Sequence, residues 1–285
     1  MTKLPRNNRL NAVIIYLTRS TQEDIDNLAR SLRLLDMNFN DTFHYPVMIF
    51  HEDLDERLMR RVRENTHSTV EFQKVEFKIP EWMDESKISE MSPTGRHNIG
   101  YRHMCRFFSG MIYKHPALAN YDWYWRLDTD SFLLSKINYD VFGYMERKNR
   151  VYGYITMLKD RTDKTVIGLW EATQEYIRNN GIQPSFLHKF VRKGDWDRRY
   201  YYTNFEISRF DFWRSGQYMK YFDYLDKLGG IYIYRWGDHV IHTLGIAMFM
   251  PENQTHRFRD IAYRHQVFVQ KSSKLKSLIA KLCGF

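Results

Sequence analysis

At 285 residues, with 43% apolar and 16% aromatic side chains, the chain is long and hydrophobic enough to bury the core of one α/β domain. Its two cysteines, Cys105 and Cys283, exclude a disulfide framework, and no apolar run approaches the roughly 20 residues that cross a bilayer. The net charge of +9 would suit a polyanion, but the basic residues are dispersed among acids rather than gathered in a tract, which disfavours nucleic acid.

In chain order, Ala12 to Leu17 reads as a continuous buried strand, followed by Ser20 or Thr21 as a helix cap with Asp24 just inside. Ile25, Leu28, Leu32 and Leu35 then keep helical spacing. Val47 to Phe50 reads as a second buried strand, Asp53 to Arg63 as a charged amphipathic helix, and Val70 to Phe77 as a strand of alternating polarity. This βαβαβ order predicts a parallel sheet whose ligands gather at the carboxyl ends of its strands.

Beyond a loop around Pro80 and Pro93, Asn98 to His115 reads as a helix with Tyr101, Cys105, Phe108 and Ile112 on one face and Arg102, Arg106 and Lys114 on the others. The run from Trp123 to Leu127 is an aromatic-rich buried strand ending in Asp128-Thr129-Asp130. Two acids separated by one residue at a strand end can reach one hard divalent cation such as Mg²⁺ or Mn²⁺, although a turn with two solvated aspartates has the same sequence. The preceding helix is expected to bring Arg106, with Arg102, close to that site, where a diphosphate would need cationic donors.

A strand at Val151 to Ile155, a helix near Val166 to Arg178, and a basic, aromatic stretch from Lys189 to Tyr202 follow. In Asn204-Phe205-Glu206-Ile207 a carboxylate sits between apolar neighbours, a setting for a structural hydrogen-bonded acid or a chemical one. The segment Gly229 to Val240 reads as a strand-like run feeding a Trp236-Gly237-Asp238 turn, where Asp238 is either an active-site acid or a helix cap. His265 could supply a nitrogen to the Asp-x-Asp site, although a lone histidine is more often structural. Neither a glycine-rich dinucleotide fingerprint, a Walker loop, a Cys-x-x-Cys pair nor a His-Glu-x-x-His pattern is present. The combination points to a metal-assisted transferase acting on a nucleoside diphosphate.

Four strings carry a family resemblance: Tyr101 to Gly110, Tyr124 to Asp130, Asn204 to Ile207 and Arg235 to Asp238. In this order they resemble the fungal Golgi α-1,2-mannosyltransferases of glycosyltransferase family 15, over about residues 11–270. The resemblance implies an α/β, single-domain GT-A glycosyltransferase fold, with a Rossmann-like mixed central sheet flanked by helices. Residues 1–10 would be an extension and 271–285 a basic tail. It further implies GDP-mannose as donor, a mannose-terminated glycan or other sugar as acceptor, Mn²⁺ as cofactor with Mg²⁺ as the alternative, and α-1,2 transfer with retention.

Carried onto this sequence, the resemblance places Asp128 and Asp130 at a Glu-Pro-Asp-like metal signature, with Asp128 and Thr129 as departures, and His265 in the metal shell. Glu206 falls on the candidate nucleophile, Asp238 on a second active-site acid and Tyr101 near donor and acceptor. Arg106 or Arg126 would assist the departing diphosphate, and Trp236 would stack on the acceptor sugar. Other readings are a carbohydrate-binding or degenerate relative, or a transferase using another sugar nucleotide. Without a signal-type segment after Met1 the expectation is a soluble, cytoplasmic chain, or a Golgi-luminal one if an anchor was removed. In the luminal case Asn40-Asp41-Thr42 and Asn253-Gln254-Thr255 would be glycosylation sequons.

Overall fold

A computed structural model describes residues 9–95 and 98–272. The first half alternates as expected: β1 (Ala12–Thr18), α1 (Gln22–Leu35), a single turn α2 (Asp41–Phe43), β2 (Val47–His51), α3 (Glu56–Arg63) and β3 (Val70–Lys74). Thr21 caps α1 by accepting the Asp24 amide, and Asp55 caps α3 through Leu58, so α3 starts later than its charge pattern suggests. Next come α4 (Ile99–Ser109), β4 (Trp123–Leu127), β5 (Ser131–Leu133), α5 (Val141–Arg147), β6 (Tyr152–Tyr154), β7 (Met157–Lys159) and α6 (Leu169–Asn179). A hairpin of β8 (Val191–Arg192) and β9 (Asp195–Trp196) precedes β10 (Arg199–Tyr201) and β11 (Phe205–Arg209). Helices α7 (Phe210–Arg214), α8 (Gly216–Lys227), α9 (Gly230–Ile233) and α10 (Asp238–Phe249) lead to β12 (Thr255–Arg257), β13 (Tyr263–His265) and β14 (Phe268–Gln270).

Seven strands form the central sheet in the order β12-β6-β11-β4-β1-β2-β3. From β4 to β3 the pairing is parallel, and β11 is the antiparallel strand between β4 and β6 that makes the sheet mixed. Both faces of the sheet are covered. Val13 and Ile15 of β1 pack into one hydrophobic cluster, Ile14 and Tyr16 into the other, which is why the strand's sequence is continuously apolar. The same alternation on β11 sends Phe205 and Ile207 into one cluster and turns Glu206 to the opposite face.

The run from Gly229 to Val240 departs from the strand expectation: it forms α9, a turn and the start of α10. A short apolar run has no periodicity that separates strand from buried helix, and here Gly229 adopts φ +73° and starts a helical turn instead. The Asn98–His115 helix likewise stops at Ser109, because the chain turns at Gly110, where a Cβ would lie 2.3 Å from the Phe222 ring. Cys105 is buried as expected, whereas Cys283 and almost all of the basic tail lie outside the described residues. Among the described residues no helix is long and apolar enough to cross a membrane. Of the two sequon asparagines, Asn40 is buried and bonded to the Tyr45 carbonyl and Ser68, while Asn253 is exposed.

Gly230 packs against the Trp236 indole so closely that an added Cβ would sit 2.3 Å from ring atoms. Gly230→Ala is therefore expected to destabilise the protein by about 1–3 kcal/mol, read as a lowered urea midpoint with an unchanged slope.

Candidate active site

Strand β4 ends at Leu127, and the Asp128-Thr129-Asp130 turn carries the chain from the central sheet into a small sheet of order β14-β13-β5. Ser131 pins the turn: its hydroxyl accepts the Asp128 amide at 3.1 Å and its own amide donates to the Asp128 carbonyl. In the β5–β13 register Ser131 faces His265, which brings a residue 135 positions from Asp130 to its side. His265 Nε2 lies 2.9 Å from Asp130 Oδ1 and 3.7 Å from Asp128 Oδ2. Its Nδ1 is held by the Tyr202 hydroxyl at 2.6 Å, a partner on the far nitrogen that fixes the ring. One ligand atom from each of the three side chains falls within 4.8 Å of the others, a nitrogen-and-oxygen set that fits one divalent ion. Burial opposes ionisation of Asp130, but the His265 hydrogen bond and charge outweigh it and hold the carboxyl below its ordinary value.

Behind this triad Arg126, from β4, spans two acids. Nη1 donates to Asp238 Oδ2 at 2.5 Å and Nη2 to Asp128 Oδ1 at 3.3 Å, and the guanidinium lies 3.5 Å from the centre of the Phe108 ring. Asp238 is the first residue of α10 rather than its cap, the Ncap position belonging to Gly237. It also accepts from Thr203 at 2.8 Å. Burial disfavours both charges, yet each stabilises the other: Asp238 is held well below the usual carboxylate range, chiefly by Arg126, and Arg126 well above the usual guanidinium value, chiefly by Asp238 and Asp128.

Glu206 lies on the same sheet face, at 1% exposure, with both oxygens engaged. Tyr124 donates to Oε1 at 2.5 Å, Tyr152 to Oε2 at 3.0 Å, and His242 Nδ1 lies 2.8 Å from Oε2. The other ring nitrogen of His242 is 3.0 Å from the Phe108 carbonyl, so the network ties β4, β6, β11, α4 and α10 together.

Tyr101, expected near the substrates, sits where the fields of Asp238, Arg235 and Asp128 overlap, and burial pushes its phenol well above its ordinary value. Its partner Arg235 was not singled out in the sequence. Arg235 is a non-glycine residue at φ +67°, 8% exposed, with its guanidinium 5.5 Å from the Tyr101 ring centre and Nη1 3.4 Å from the Tyr101 hydroxyl. Among the described residues Nε has no partner and no carboxylate lies at ion-pair distance. An arginine between the strand-like run and the Trp-Gly-Asp turn was the available signal.

Over residues 1–282 the sequence matches the family described as glycolipid 2-alpha-mannosyltransferase. The chain is 33% identical over 291 residues to the probable mannosyltransferase KTR3 of Saccharomyces cerevisiae, covering 94% of this chain and 70% of that protein. It is 34% identical over 275 residues to the O-glycoside alpha-1,2-mannosyltransferase omh1 of Schizosaccharomyces pombe, covering 91% and 70%. The fold matches core-mannan synthase A (CmsA/Ktr4) of Aspergillus fumigatus, solved in a Mn/GDP form, with a TM-score of 0.87 and 29% identity over 95% of this chain and 78% of that one. The chain belongs to this mannosyltransferase family. It is a glycosyltransferase of the α-1,2-mannosyltransferase class, built on a GT-A type fold.

Three expected site residues are used differently in this family member. Arg106 is not beside the acids of the turn: it makes a two-pronged ion pair with Asp226 of α8, at 2.8 and 2.9 Å, and lines a separate cavity of about 270 Å³ with Lys74 and His103. The helical step of 100° explains this, since Tyr101 and Cys105 face Asp238 and the next residue points toward α8. Arg102, expected beside the metal, is fully buried and donates to the Ser89 and Tyr232 carbonyls. Trp236 is 2% exposed, donates its indole N–H to the Ile167 carbonyl and packs on Gly230, so it braces the Asp238 turn and offers no free face to a sugar.

Removing one member of a buried ion pair strands the other, so Asp238→Ala is expected to cost about 3–5 kcal/mol in urea unfolding at pH 7. Because the folded-state pKa of Asp238 is depressed, its contribution is complete above the unfolded value near pH ~4 and fades as the pH falls toward the lower folded value. The stability gap between wild type and Asp238→Ala should therefore narrow only below about pH 4.

Proposed function

We propose that this enzyme moves mannose from GDP-mannose to the 2-hydroxyl of a mannoside acceptor, retaining the α configuration, with Mn²⁺ held by Asp128, Asp130 and His265. The observation that carries this reading is the register-enforced meeting of His265 with the two turn acids, in a family with a member solved in a Mn/GDP form. The nitrogen in the set favours Mn²⁺ over Mg²⁺, which prefers oxygen ligands alone. When bound there, the ion would neutralise charge on the departing diphosphate.

The chain's own groups divide the remaining work. Arg126 is ion-paired with Asp238 and Asp128 and keeps the first acid of the turn in place. Arg235 has no carboxylate at ion-pair distance among the described residues, and it supplies charge-assisted donors to the diphosphate, with Tyr101 holding its plane. Asp238 acts through Arg126 rather than by direct contact with a sugar. Retention follows a front-face route: the bond from the anomeric carbon to the diphosphate oxygen breaks, the acceptor oxygen bonds on the same face, and its proton passes to the leaving diphosphate. The burial of Glu206 and the engagement of both its oxygens support this route over attack by Glu206 on the anomeric carbon. Glu206 positions the layer beneath the site.

Three outcomes are expected. GDP with Mn²⁺ should raise the melting temperature by several degrees, since a hundredfold excess over Kd contributes about 2.7 kcal/mol, while GDP without metal should do much less. Asp130→Ala should abolish turnover and the Mn²⁺-dependent part of that shift without unfolding the chain, and an intact metal response would count against the assignment. Glu206→Gln should keep measurable transfer with unchanged anomeric configuration by product NMR; a glycosyl adduct on Glu206 in wild-type enzyme, seen by peptide mass spectrometry, would overturn the front-face route, as an inverted product would overturn retention.

A further inference from the structure

We infer that the enzyme has a second carbohydrate subsite, a groove between the start of α6 and the β8–β9 hairpin, that binds the acceptor's sugars beyond the one receiving mannose. The inference rests on the transferase reading above. The groove encloses about 760 Å³, within the roughly 300–1,000 Å³ range of ligand pockets.

Its chemistry selects a neutral, hydroxyl-rich ligand. The carboxylates of Asp163, Glu171, Asp195 and Asp197 are matched by an equal number of lysine and arginine side chains in the lining, so no net charge draws an ion. Sugar hydroxyls both donate and accept, and an alternation of carboxylates and cations satisfies both roles. Half-buried Trp170 lines the wall and supplies the apolar face on which the C–H side of a pyranose packs.

The groove is joined by direct bonds to the turn that carries Asp238. The carbonyl of Ile167, in its wall, accepts the Trp236 indole N–H at 2.8 Å, and Trp236 leads through Gly237 to Asp238. On the other side the Asp160 amide donates to the Arg198 carbonyl at 3.0 Å, while the Asp160 carboxylate lies 3.6 Å from His239 Nε2, one residue past Asp238. These links fix the groove wall beside the segment that carries Asp238, and a glycan extended past that segment would enter the groove. Trp236, buried and bonded to this wall, fixes the groove relative to the site.

The test compares methyl α-mannoside with linear α-mannotriose as acceptors of the full-length enzyme. Wild type should show a KM for mannotriose at least tenfold lower. Trp170→Ala and Glu171→Gln should erase that advantage, raising the mannotriose KM about tenfold while leaving kcat and the methyl mannoside KM unchanged, the exposed Glu171→Gln also leaving the melting temperature unchanged, and Trp170→Tyr should restore most of it. Indifference of the wild type to acceptor length, or equal losses on both acceptors, would overturn the subsite. If GDP-mannose supports no transfer at all, the transferase reading falls instead, and calorimetric binding of α-mannotriose, lost in Trp170→Ala, would still support the groove. No binding by wild type would remove it.

Discussion

Arg126 carries a full charge inside the protein, at 2% exposure, and the site is arranged around the need to pair it. An uncompensated guanidinium there would cost several kcal/mol, so two carboxylates, one distant in the chain and one two residues on, must stand against it. One is Asp238, which fixes the first turn of α10 against β4. The other is Asp128, which fixes the turn at the strand's end. The same residue that stabilises the junction of sheet and helix therefore sets the spacing between the Asp128-Thr129-Asp130 turn and the Arg235-Trp236-Gly237-Asp238 segment. Phe108 against the guanidinium face completes the shell without adding charge.

Beneath this pair lies a second polar layer, with Glu206 at its centre. Two tyrosine hydroxyls and a histidine satisfy its oxygens in a region otherwise made of aromatic rings, including Tyr113 and Trp213 around His242. A carboxylate so enclosed is kept only if both its oxygens are hydrogen-bonded, and a network with that property holds its members in one arrangement. The consequence for chemistry is a rigid floor under the reacting centre, in keeping with the demand that ligand groups for a diphosphate be placed before the substrate arrives.

Much of this was readable in advance, and the reasons differ by element. The β1–α1–β2–α3–β3 order followed from continuous apolar runs and from Thr21 and Asp24 at a helix start, signals local to a few residues. Asp130 and Asp128 were legible as a pair at the end of a buried strand, a pattern that a turn with two solvated aspartates shares, and the order of the family's strings was what favoured a metal site. Arg106 misled because position on a helix says which face a residue shares, not which neighbour that face meets; α8, supplying Asp226, decided it. Trp236 misled because an aromatic residue in a turn looks like a sugar platform until Gly230 is seen beneath it. Arg235 entered only as part of a string and was given no role, because its significance is a backbone angle and the lack of a carboxylate partner among the described residues, neither of which is written in residue types.

By itself the sequence determined the fold class, the strand that ends in two acids, the burial of Cys105 and the identity of the histidine and acids that converge, because hydrophobic period, caps and motif order act over short distances. Only the tertiary structure decided which of these meet. The pairing of β5 with β13 brings His265 to Asp130, and a slip of one residue would turn it to the other face. The antiparallel insertion of β11 sets Glu206 on the inner side, and the packing of α8 and α9 withdraws Arg106 and Trp236 from the site. Asp128, the departure from the family's signature, takes its place through one local contact, with Arg126 two residues before it, and one long-range contact, with His265.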